Sequence, residues 1–362
     1  MISNRLPSPN TWISLGLLAI GSFPTGPTTP LLETLTDNGL NAIDLTHHET
    51  GYYQTLLNLG QRLDSLAQTR PRQHRRPFTA GPLAIPVPDL RQHALTPSLS
   101  LHTRHGTWST SPQGLRDQVD SWTKPPGTTR LILLGDSIAA GWGVPDGRGF
   151  EPLLEAALND STPAPIQILN FAVPGHAPGQ RWEHFLQLNG WDCQPDALLY
   201  QATPADLGWD ERTLARLLPL GLAWDAPQYA PTLQRAQLQP HDASDPSTLR
   251  HRLRPLRTQL VAHVYETITA ECRRRGIPTA YFLIPRVGRP SPHDAQTLLQ
   301  LARNAGFDLI IDLSDAFDGL DPNTLAVAPN DYHPNATAHA RLASLLHHAL
   351  AHWPPIPQKD QP

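Results

Sequence analysis

Cysteine is scarce in this chain: only two of its 362 residues are cysteine, Cys193 and Cys272. Two cysteines cannot form the dense disulfide framework by which small secreted domains replace a hydrophobic core. We therefore expect two buried thiols, with a single bridge between them as the alternative. The length predicts one large domain or two smaller ones, with ample material for a core.

An excess of positive charge is also lacking. The chain has 28 Lys and Arg against 32 Asp and Glu, a formal net charge of −4. A protein that binds nucleic acid through its phosphates needs a basic surface. The basic stretch at residues 70–76 is short and lies in a proline-rich region, so we expect a solvated linker there. The composition predicts no nucleic-acid partner.

Motifs for phosphate and metal binding are missing as well. The sequence has no glycine-rich phosphate loop, so nucleotide chemistry has no support. Histidines come together in HHET (47–50) and HTRH (102–105), but neither is a helix-borne His-x-x-x-His pair with an acidic partner. We expect a protein that needs no cofactor and holds no metal.

The apolar stretch near the N-terminus, residues 12–23, is shorter than the roughly 20 residues that a membrane-spanning helix needs. Its length suits a signal-peptide core, Arg5 precedes it, and Ala19-Ile20-Gly21 is a small-x-small cleavage site. We expect residues 1–23 to be a signal peptide or an anchor of an exported or periplasmic protein. Alternatively, residues 12–23 form a buried helix or strand of the fold in a cytoplasmic protein.

Residues 24–127 are predicted to form an N-terminal extension. It contains a short amphipathic helix, a Pro- and Arg-rich linker to about residue 88, and a small β-rich elaboration over residues 90–117. Proline is abundant, with 39 residues, and clusters between apolar runs, as is typical of stiff loops around a core. The last residues, 353–362, form a Pro-rich tail.

From residue 130 onward, apolar stretches of strand length alternate with helical stretches. Strands are predicted at 130–137, 166–173, 196–203, 279–286 and 308–315. Helices are predicted at 150–158, 178–190, 211–217, 257–275, 292–305 and 336–351. This alternation indicates an α/β fold with a doubly wound, parallel five-stranded sheet. Residues 218–250, rich in Pro, Gln and Asp, interrupt the alternation as an insertion would.

The first of these strands ends at Gly135-Asp136-Ser137. Residues 131–134 show no polar alternation, which is typical of a strand buried on both faces. Gly135 marks a tight turn, and residues 138–140 can open a helix. Ligands of such sheets bind beyond the carboxyl ends of the strands, so Ser137 is a candidate nucleophile. The alternative is that Asp136 or Ser137 only caps the next helix.

A serine becomes a good nucleophile when a histidine, held by a carboxylate, takes its proton. Among 17 histidines, His333 follows the last strand, directly precedes the last helix, and has Asp331 two residues before it. Its loop belongs at the same edge of the sheet as Ser137. The alternatives are a capping or packing histidine and an Asp331 that only forms a turn.

Three sequence blocks, GDSIAAGWGV, NFAVPGHAPGQ and DYHPNATAH, resemble in this order the GDSL or SGNH hydrolase superfamily. The resemblance covers about residues 128–352 and implies a flavodoxin-like sheet. The upstream stretches TPSLSLHTRHGTWSTSPQGLRD and KPPGTTR are similar to the lead-in of many exported bacterial members. The resemblance implies that Ser137 is the nucleophile, His333 the general base, and the N–H groups of Ser137 and Gly175 the oxyanion hole.

Two positions depart from the family pattern. The family's Asp three residues before the histidine falls on Asn330, but residues two apart in an extended segment point the same way, so Asp331 can orient His333. Asp206 and Asp315 are the next candidates for the carboxylate.

The second departure concerns the oxyanion hole. The family's Gly-x-Asn-Asp block aligns with residues 203–206, which puts Ala205 at the position of the Asn. Alanine has no side-chain donor, and losing one such donor typically costs about 10²–10³ in rate. Gln201, Thr203 or an Asn from elsewhere in the chain could substitute.

The sequence therefore predicts a serine esterase that cleaves an ester, such as an acyl group on a carbohydrate or another small substrate, through a Ser-His-Asp acyl-enzyme. One alternative is an acyltransferase that excludes water from the same acyl-enzyme. The other is a binding protein that kept the SGNH fold and lost catalysis, which Ala205 favours. Membrane contact is expected only through an N-terminal anchor, and the sequence does not set the oligomeric state.

Overall fold

The structure is a computed structural model that describes residues 82–119, 121–240, 245–329 and 331–358. The predicted signal peptide or anchor at 1–23 and the extension up to residue 81 lie outside these ranges, as do Asn330 and the last four residues of the tail. In the described part of the chain, no helix combines the length and apolarity that crossing a membrane requires.

The β-strands of the described residues are mostly short. In chain order they are β1 Ala84–Pro86, β2 His93–Leu95, β3 Ser100–Thr103, β4 Gly106–Ser109, β5 Thr129–Leu134, β6 Ile166–Asn170, β7 Ala197–Ala202, β8 Thr279–Leu283, β9 Leu309–Asp312, β10 Ala326–Ala328 and β11 Asp331–Pro334. The α-helices are α1 Phe150–Ser161, α2 Pro178–Gln187, α3 Trp209–Leu217, α4 Ala230–Arg235, α5 Pro246–Leu253, α6 Arg257–Arg274, α7 Pro292–Ala305, α8 Pro322–Leu325 and α9 Ala336–Leu350. A 3₁₀ turn, Pro204–Gly208, connects β7 to α3.

Strands β5 to β9 form one parallel sheet in the order β6-β5-β7-β8-β9. This is the 2-1-3-4-5 order of flavodoxin-like sheets, so the predicted fold is confirmed. The other strands of the described chain pair in three antiparallel ribbons, β1-β2, β3-β4 and β10-β11. Strands β2, β3 and β4 lie within residues 90–117, where the sequence predicts a small β-rich elaboration, whereas β1 lies in the stretch predicted as linker.

The sheet is buried on both faces, and β5 shows why its sequence has no polar alternation. Ile132 and Leu134 belong to one hydrophobic core, together with residues of α2 to α7. Leu131 and Leu133 belong to a second core, together with residues of α1 and α9. Alternate side chains of one strand thus point into two apolar layers, which requires apolar residues at every position.

Both cysteines lie in the first of these cores. Cys193 and Cys272 are buried, free thiols, as the sequence predicts. Burial raises the pKa of each thiol to about 12, because the thiolate is poorly solvated in an apolar environment. The two thiols are therefore inert in the folded protein.

The prediction that residues 138–140 open a helix is wrong. These residues form turns, and the next helix begins at Phe150. Gly141 and Gly143 have φ angles of +65° and +82°, left-handed values that cannot continue a right-handed helix. The predicted insertion, residues 218–250, contains α4 and the beginning of α5, which contribute Leu233 and Leu249 to the first core.

Candidate active site

Ser137, His333 and Asp331 form one hydrogen-bonded chain at the carboxyl edge of the sheet. The Oγ of Ser137 lies 2.8 Å from the Nε2 of His333. The Nδ1 of His333 lies 2.5 Å from the Oδ1 of Asp331, and all three residues are buried. A neutral imidazole that donates its Nδ1 proton to Asp331 has a lone pair at Nε2 for the hydroxyl proton of Ser137. The arrangement can therefore activate a serine nucleophile.

A tight turn after β5 presents Ser137. The Asp136 carboxylate accepts the N–H of Ile138 at 2.8 Å, the carbonyl of Asp136 accepts the N–H of Ala140, and the carbonyl of Ser137 accepts the N–H of Trp142. Asp136 thus caps a turn and not, as the sequence alternative proposes, the next helix, and the hydroxyl of Ser137 pairs with His333. We call residues 136–142 the nucleophile turn.

The start of the nucleophile turn is attached to the neighbouring strand β7. The Oε1 of Gln201 accepts the N–H of Asp136 at 3.0 Å. A Cβ at Gly135 would lie 2.8 Å from that oxygen and 2.4 Å from the Cβ of Ala139. Such separations are too short for real side chains, so this position requires glycine.

The other end of the turn is held by Arg116, which follows the β-rich elaboration. Its guanidinium donates to the carbonyls of Ala140, Gly141 and Val144 and stacks on the ring of Trp108, 3.6 Å from its centroid. Sequence reasoning missed this residue. A cation that binds these carbonyls fixes the position of the last residues of the turn.

The short hairpin β10-β11 carries the other two members of the chain. Within β11, Asp331 and His333 are two residues apart and therefore on one face, and the N–H of His333 also donates to Asp331 Oδ1 at 3.2 Å. Val327 of β10 packs so closely on Gly143 that a Cβ there would lie 2.4 Å from it. This contact holds the hairpin against the residue that follows the nucleophile turn.

Asn335 connects the hairpin to α9 and fixes the end of the hairpin. Its side-chain oxygen accepts the N–H groups of Thr337 and Ala338, which makes it the N-cap of α9. Its amide group donates to the carbonyl of Thr324 at 2.8 Å. The position of β11 relative to α9 is thereby set.

Gly175 lies in the loop after β6, the neighbour of β5 on the other side. Its φ is +84°, a left-handed value that favours glycine. His93 of β2 donates from Nε2 to the carbonyl of Pro174 at 2.8 Å, and His176 donates from Nε2 to the carbonyl of His93 at 3.0 Å. Neither His93 nor His176 is predicted from the sequence as a site residue.

Residues 201–206, at the end of β7 and in the turn after it, include the candidate positions for a further oxyanion donor. Ala205 lies in the 3₁₀ turn Pro204–Gly208 and offers no side-chain donor. The hydroxyl of Thr203 contacts Asp206 at 3.4 Å. The amide nitrogen of Gln201 is buried and has no hydrogen-bond partner among the described residues. Of Gln201 and Thr203, Gln201 is therefore the one with an unused donor.

The other two candidates for the carboxylate that orients His333 lie elsewhere in the structure. Asp206 is bound by the guanidinium of Arg181 through two contacts of 2.7 Å each, and Asp315 is exposed. Asp331 is the carboxylate that contacts His333. Asn330, the position that the family pattern would use, lies outside the described residues.

Three buried histidines, His93, His176 and His184, pack edge to face beside the Gly175 loop. Burial lowers the pKa of His93 to about 4 and that of His184 to about 3, and it lowers the pKa of His176 well below the usual value. These imidazoles are therefore neutral at neutral pH. Within the described ranges, no three or more His, Cys, Asp or Glu side chains are grouped so that they could hold a metal ion.

No known family model matches the sequence, and no curated protein matches it. Solved structures that resemble it include one described as TesA, with 16% identity and a TM-score of 0.40 over 61% of this chain and 98% of that one. A psychrotrophic esterase, EstA from Pseudoalteromonas sp., has 14% identity and a TM-score of 0.39 over 62% and 98%. AlinE4, described as an SGNH-hydrolase family esterase, has 18% identity and a TM-score of 0.35 over 63% and 97%. At such low similarity, the geometry of the site carries the functional argument.

Proposed function

We propose that this protein is a serine hydrolase of the GDSL or SGNH type that cleaves ester bonds of small substrates. The observation that carries the proposal is the continuous chain from Ser137 Oγ through His333 to Asp331. The motif resemblance of the sequence and the position of the chain at the carboxyl edge of the sheet support it. We include acyl groups on carbohydrates among the candidate substrates.

In the first step, the Oγ of Ser137 attacks the ester carbonyl while its proton moves to the Nε2 of His333. Asp331 stabilises the imidazolium that forms. The carbonyl oxygen takes up the negative charge, and the ester C–O bond then breaks as His333 returns the proton to the leaving alcohol. In the second step, water attacks the acyl-Ser137 ester by the same route, with His333 again as base. The carboxylic acid is released and Ser137 is regenerated.

The negative charge on the tetrahedral intermediate needs hydrogen-bond donors. We assign this role to the backbone N–H groups of Ser137 and Gly175. Ala205 leaves the third, side-chain position of the family without a donor, and the buried amide nitrogen of Gln201 is the candidate to supply one.

An acyltransferase is the second candidate enzyme, because an acyl-Ser137 can pass its acyl group to an alcohol as well as to water. The absence of a side-chain donor at Ala205 favours a third candidate, a binding protein without turnover. Both alternatives share the fold, so only chemistry at Ser137 separates them.

The decisive experiment combines a fluorophosphonate probe with a panel of short acyl esters and acetylated sugars. We expect the probe to label the wild type at Ser137, and Ser137→Ala and His333→Ala to lose nearly all turnover, with the double variant little worse than either. A folded wild type that is neither labelled nor active would favour the binding protein. Labelling with turnover only when an acceptor alcohol is added would favour the acyltransferase.

Ser161 provides a matched control. Its Oγ lies 2.9 Å from the Nε2 of His347 at the protein surface, so it is another serine beside a histidine. We expect Ser161→Ala to keep full turnover and labelling. Retained turnover in a folded Ser137→Ala variant would contradict the mechanism.

A further inference from the structure

The loop that carries Gly175 is held by a residue far away in the sequence, His93 of β2. The Nε2–H of His93 donates to the carbonyl of Pro174 at 2.8 Å. In return, the carbonyl of His93 accepts the Nε2–H of His176 at 3.0 Å. Both side chains are buried. The N-terminal β1-β2 ribbon and the Gly175 loop are thus joined by two reciprocal bonds that flank Gly175.

The bond to Pro174 has a direct consequence for Gly175, because the carbonyl of Pro174 and the N–H of Gly175 belong to one peptide unit. A trans peptide unit is planar, so its C=O and N–H point in opposite directions. A donor that fixes the direction of the carbonyl therefore fixes the direction of the N–H. The same bond also polarises the peptide unit and makes its N–H a stronger donor.

We infer that His93 is a positioning residue of the oxyanion hole, which aims the Gly175 N–H at the reacting carbonyl through the Pro174–Gly175 peptide unit. The inference rests on the proposed function. It makes the N-terminal ribbon a part of the catalytic machinery, although the family resemblance starts only at about residue 128.

The packing around His93 offers a control for a merely structural role. A Cβ at Gly175 would lie 3.8 Å from the His93 ring, so this ring lies directly beside Gly175. His184 belongs to the same edge-to-face cluster and is equally buried. Its two ring nitrogens have no hydrogen-bond partner among the described residues. Replacing His184 therefore disturbs the cluster without freeing the Pro174 carbonyl.

The test compares the full-length variants His93→Leu, His93→Gln, His93→Asn and His184→Leu in steady-state ester hydrolysis. A glutamine amide reaches about as far as a histidine Nε2, whereas an asparagine amide is too short. We expect kcat to fall about tenfold or more in His93→Leu and His93→Asn, since losing one oxyanion donor outright costs about 10²–10³. KM should stay within about twofold, because the charge that the donor meets forms only in the transition state.

We expect His93→Gln to keep most of the wild-type kcat, and His184→Leu to keep all of it. A trifluoromethyl ketone, whose adduct places an alkoxide in the oxyanion hole, should bind more weakly to His93→Asn than to His93→Gln. If His93→Leu does not fold, the pair of His93→Gln and His93→Asn decides.

Equal kcat in His93→Gln and His93→Asn, or an equal loss in His184→Leu, would overturn the inference and leave His93 with a packing role. A folded wild type without turnover and without labelling at Ser137 would instead contradict the proposed function. The two failures are thus distinguishable.

Discussion

Arg181 of α2 and Asp206 of the turn after β7 form a fully buried, two-point ion pair, with both contacts at 2.7 Å. The same guanidinium donates to the carbonyl of Gln201 at 3.0 Å and lies 3.6 Å from the carboxylate of Asp136. One cation thus connects the nucleophile turn, the end of β7 and the segment that contains Ala205. Asp206 directly follows Ala205, and its ion pair with Arg181 holds these three segments together.

Arg181→Met should destabilise the protein by about 3–5 kcal/mol, because it leaves the carboxylates of Asp206 and Asp136 buried without a cation. Arg274→Met is the control, since Arg274 is exposed and contacts Glu271 at 3.0 Å on the surface of α6, and an exposed pair contributes little to stability. Urea unfolding measures both changes. Similar small losses in the two variants would show that the buried carboxylates find protons or other partners.

Asp331→Asn should lower kcat by about 10⁴, the loss typical of a catalytic triad whose carboxylate becomes an amide. The amide cannot stabilise the imidazolium and can hold His333 in the wrong tautomer. Asn330→Ala is the matched control and should change kcat little. Hydrolysis rates at saturating substrate give the comparison, and equal small effects would mean that another group orients His333.

Ala205→Asn tests the missing donor. If an amide at position 205 reaches the oxyanion, kcat should rise about tenfold or more while KM stays the same, because the donor meets charge only in the transition state. A fall in kcat would indicate that Gln201 already serves as the donor and that the new side chain displaces it. An inert wild type together with an inert, folded Ala205→Asn would favour the binding protein.

Stability should fall as the pH rises through about 6 to 7. Asp117, Glu151 and Glu155 line a cavity of about 150 Å³ beside the nucleophile turn. Burial raises the pKa of Asp117 to about 6, that of Glu155 to about 7, and that of Glu151 well above its usual value. A carboxyl whose pKa is raised by folding stabilises the fold while it is protonated, and this contribution is lost as it ionises.

The variant Glu155→Gln removes one of these three titrating carboxyl groups and so isolates its contribution to the pH dependence of stability. The Oε2 of Glu155 accepts the N–H of Ile168 at 2.5 Å, and a glutamine oxygen can accept it too. Between pH 5.5 and 8, the variant should lose about 1–2 kcal/mol less unfolding free energy than the wild type, after allowance for the partial exposure of the group. Parallel stability curves over this range would show that Glu155 does not titrate there.

The export prediction concerns residues outside the described part of the chain. If residues 12–20 are a signal core, expression in a secreting host should yield a mature chain that starts near Ser22, because cleavage follows a small-x-small site. N-terminal sequencing of the secreted protein measures this. Soluble cytoplasmic protein with residues 2–21 intact would overturn the prediction.

The sheet could be predicted from the sequence because its central strands β5, β7 and β8 are buried on both faces. Residues 131–134 have apolar side chains at every position, and they alternate between two cores. The edge at which Ser137 and His333 meet follows from the rule for parallel sheets, although 196 residues separate them. The contact between Ser137 and His333 could therefore be predicted from the sequence. The catalytic roles of the two residues stay predictions.

Other features of the candidate site could not be predicted, because they produce no pattern in the sequence. His93 and Arg116 act on backbone carbonyls, and a carbonyl acceptor leaves no trace in the sequence of its segment. The β10-β11 hairpin has strands of only three and four residues, too short for a period of two. Residues 138–140 have good helix propensity, but the two left-handed glycines after them end the turn.

The two thiols of the first core form a natural probe of how the molecule opens. Cys193 and Cys272 are the only cysteines of the chain, and both are buried in the first core, so a maleimide reacts with them only after this core has opened around them. Ile138 and Ala139 of the nucleophile turn pack in the opposite layer, with α1 and α9. If maleimide labels molecules that still react with a fluorophosphonate at Ser137, the two layers open independently of each other. Opening of the first core then leaves the geometry around Ser137, on the other face of the sheet, intact.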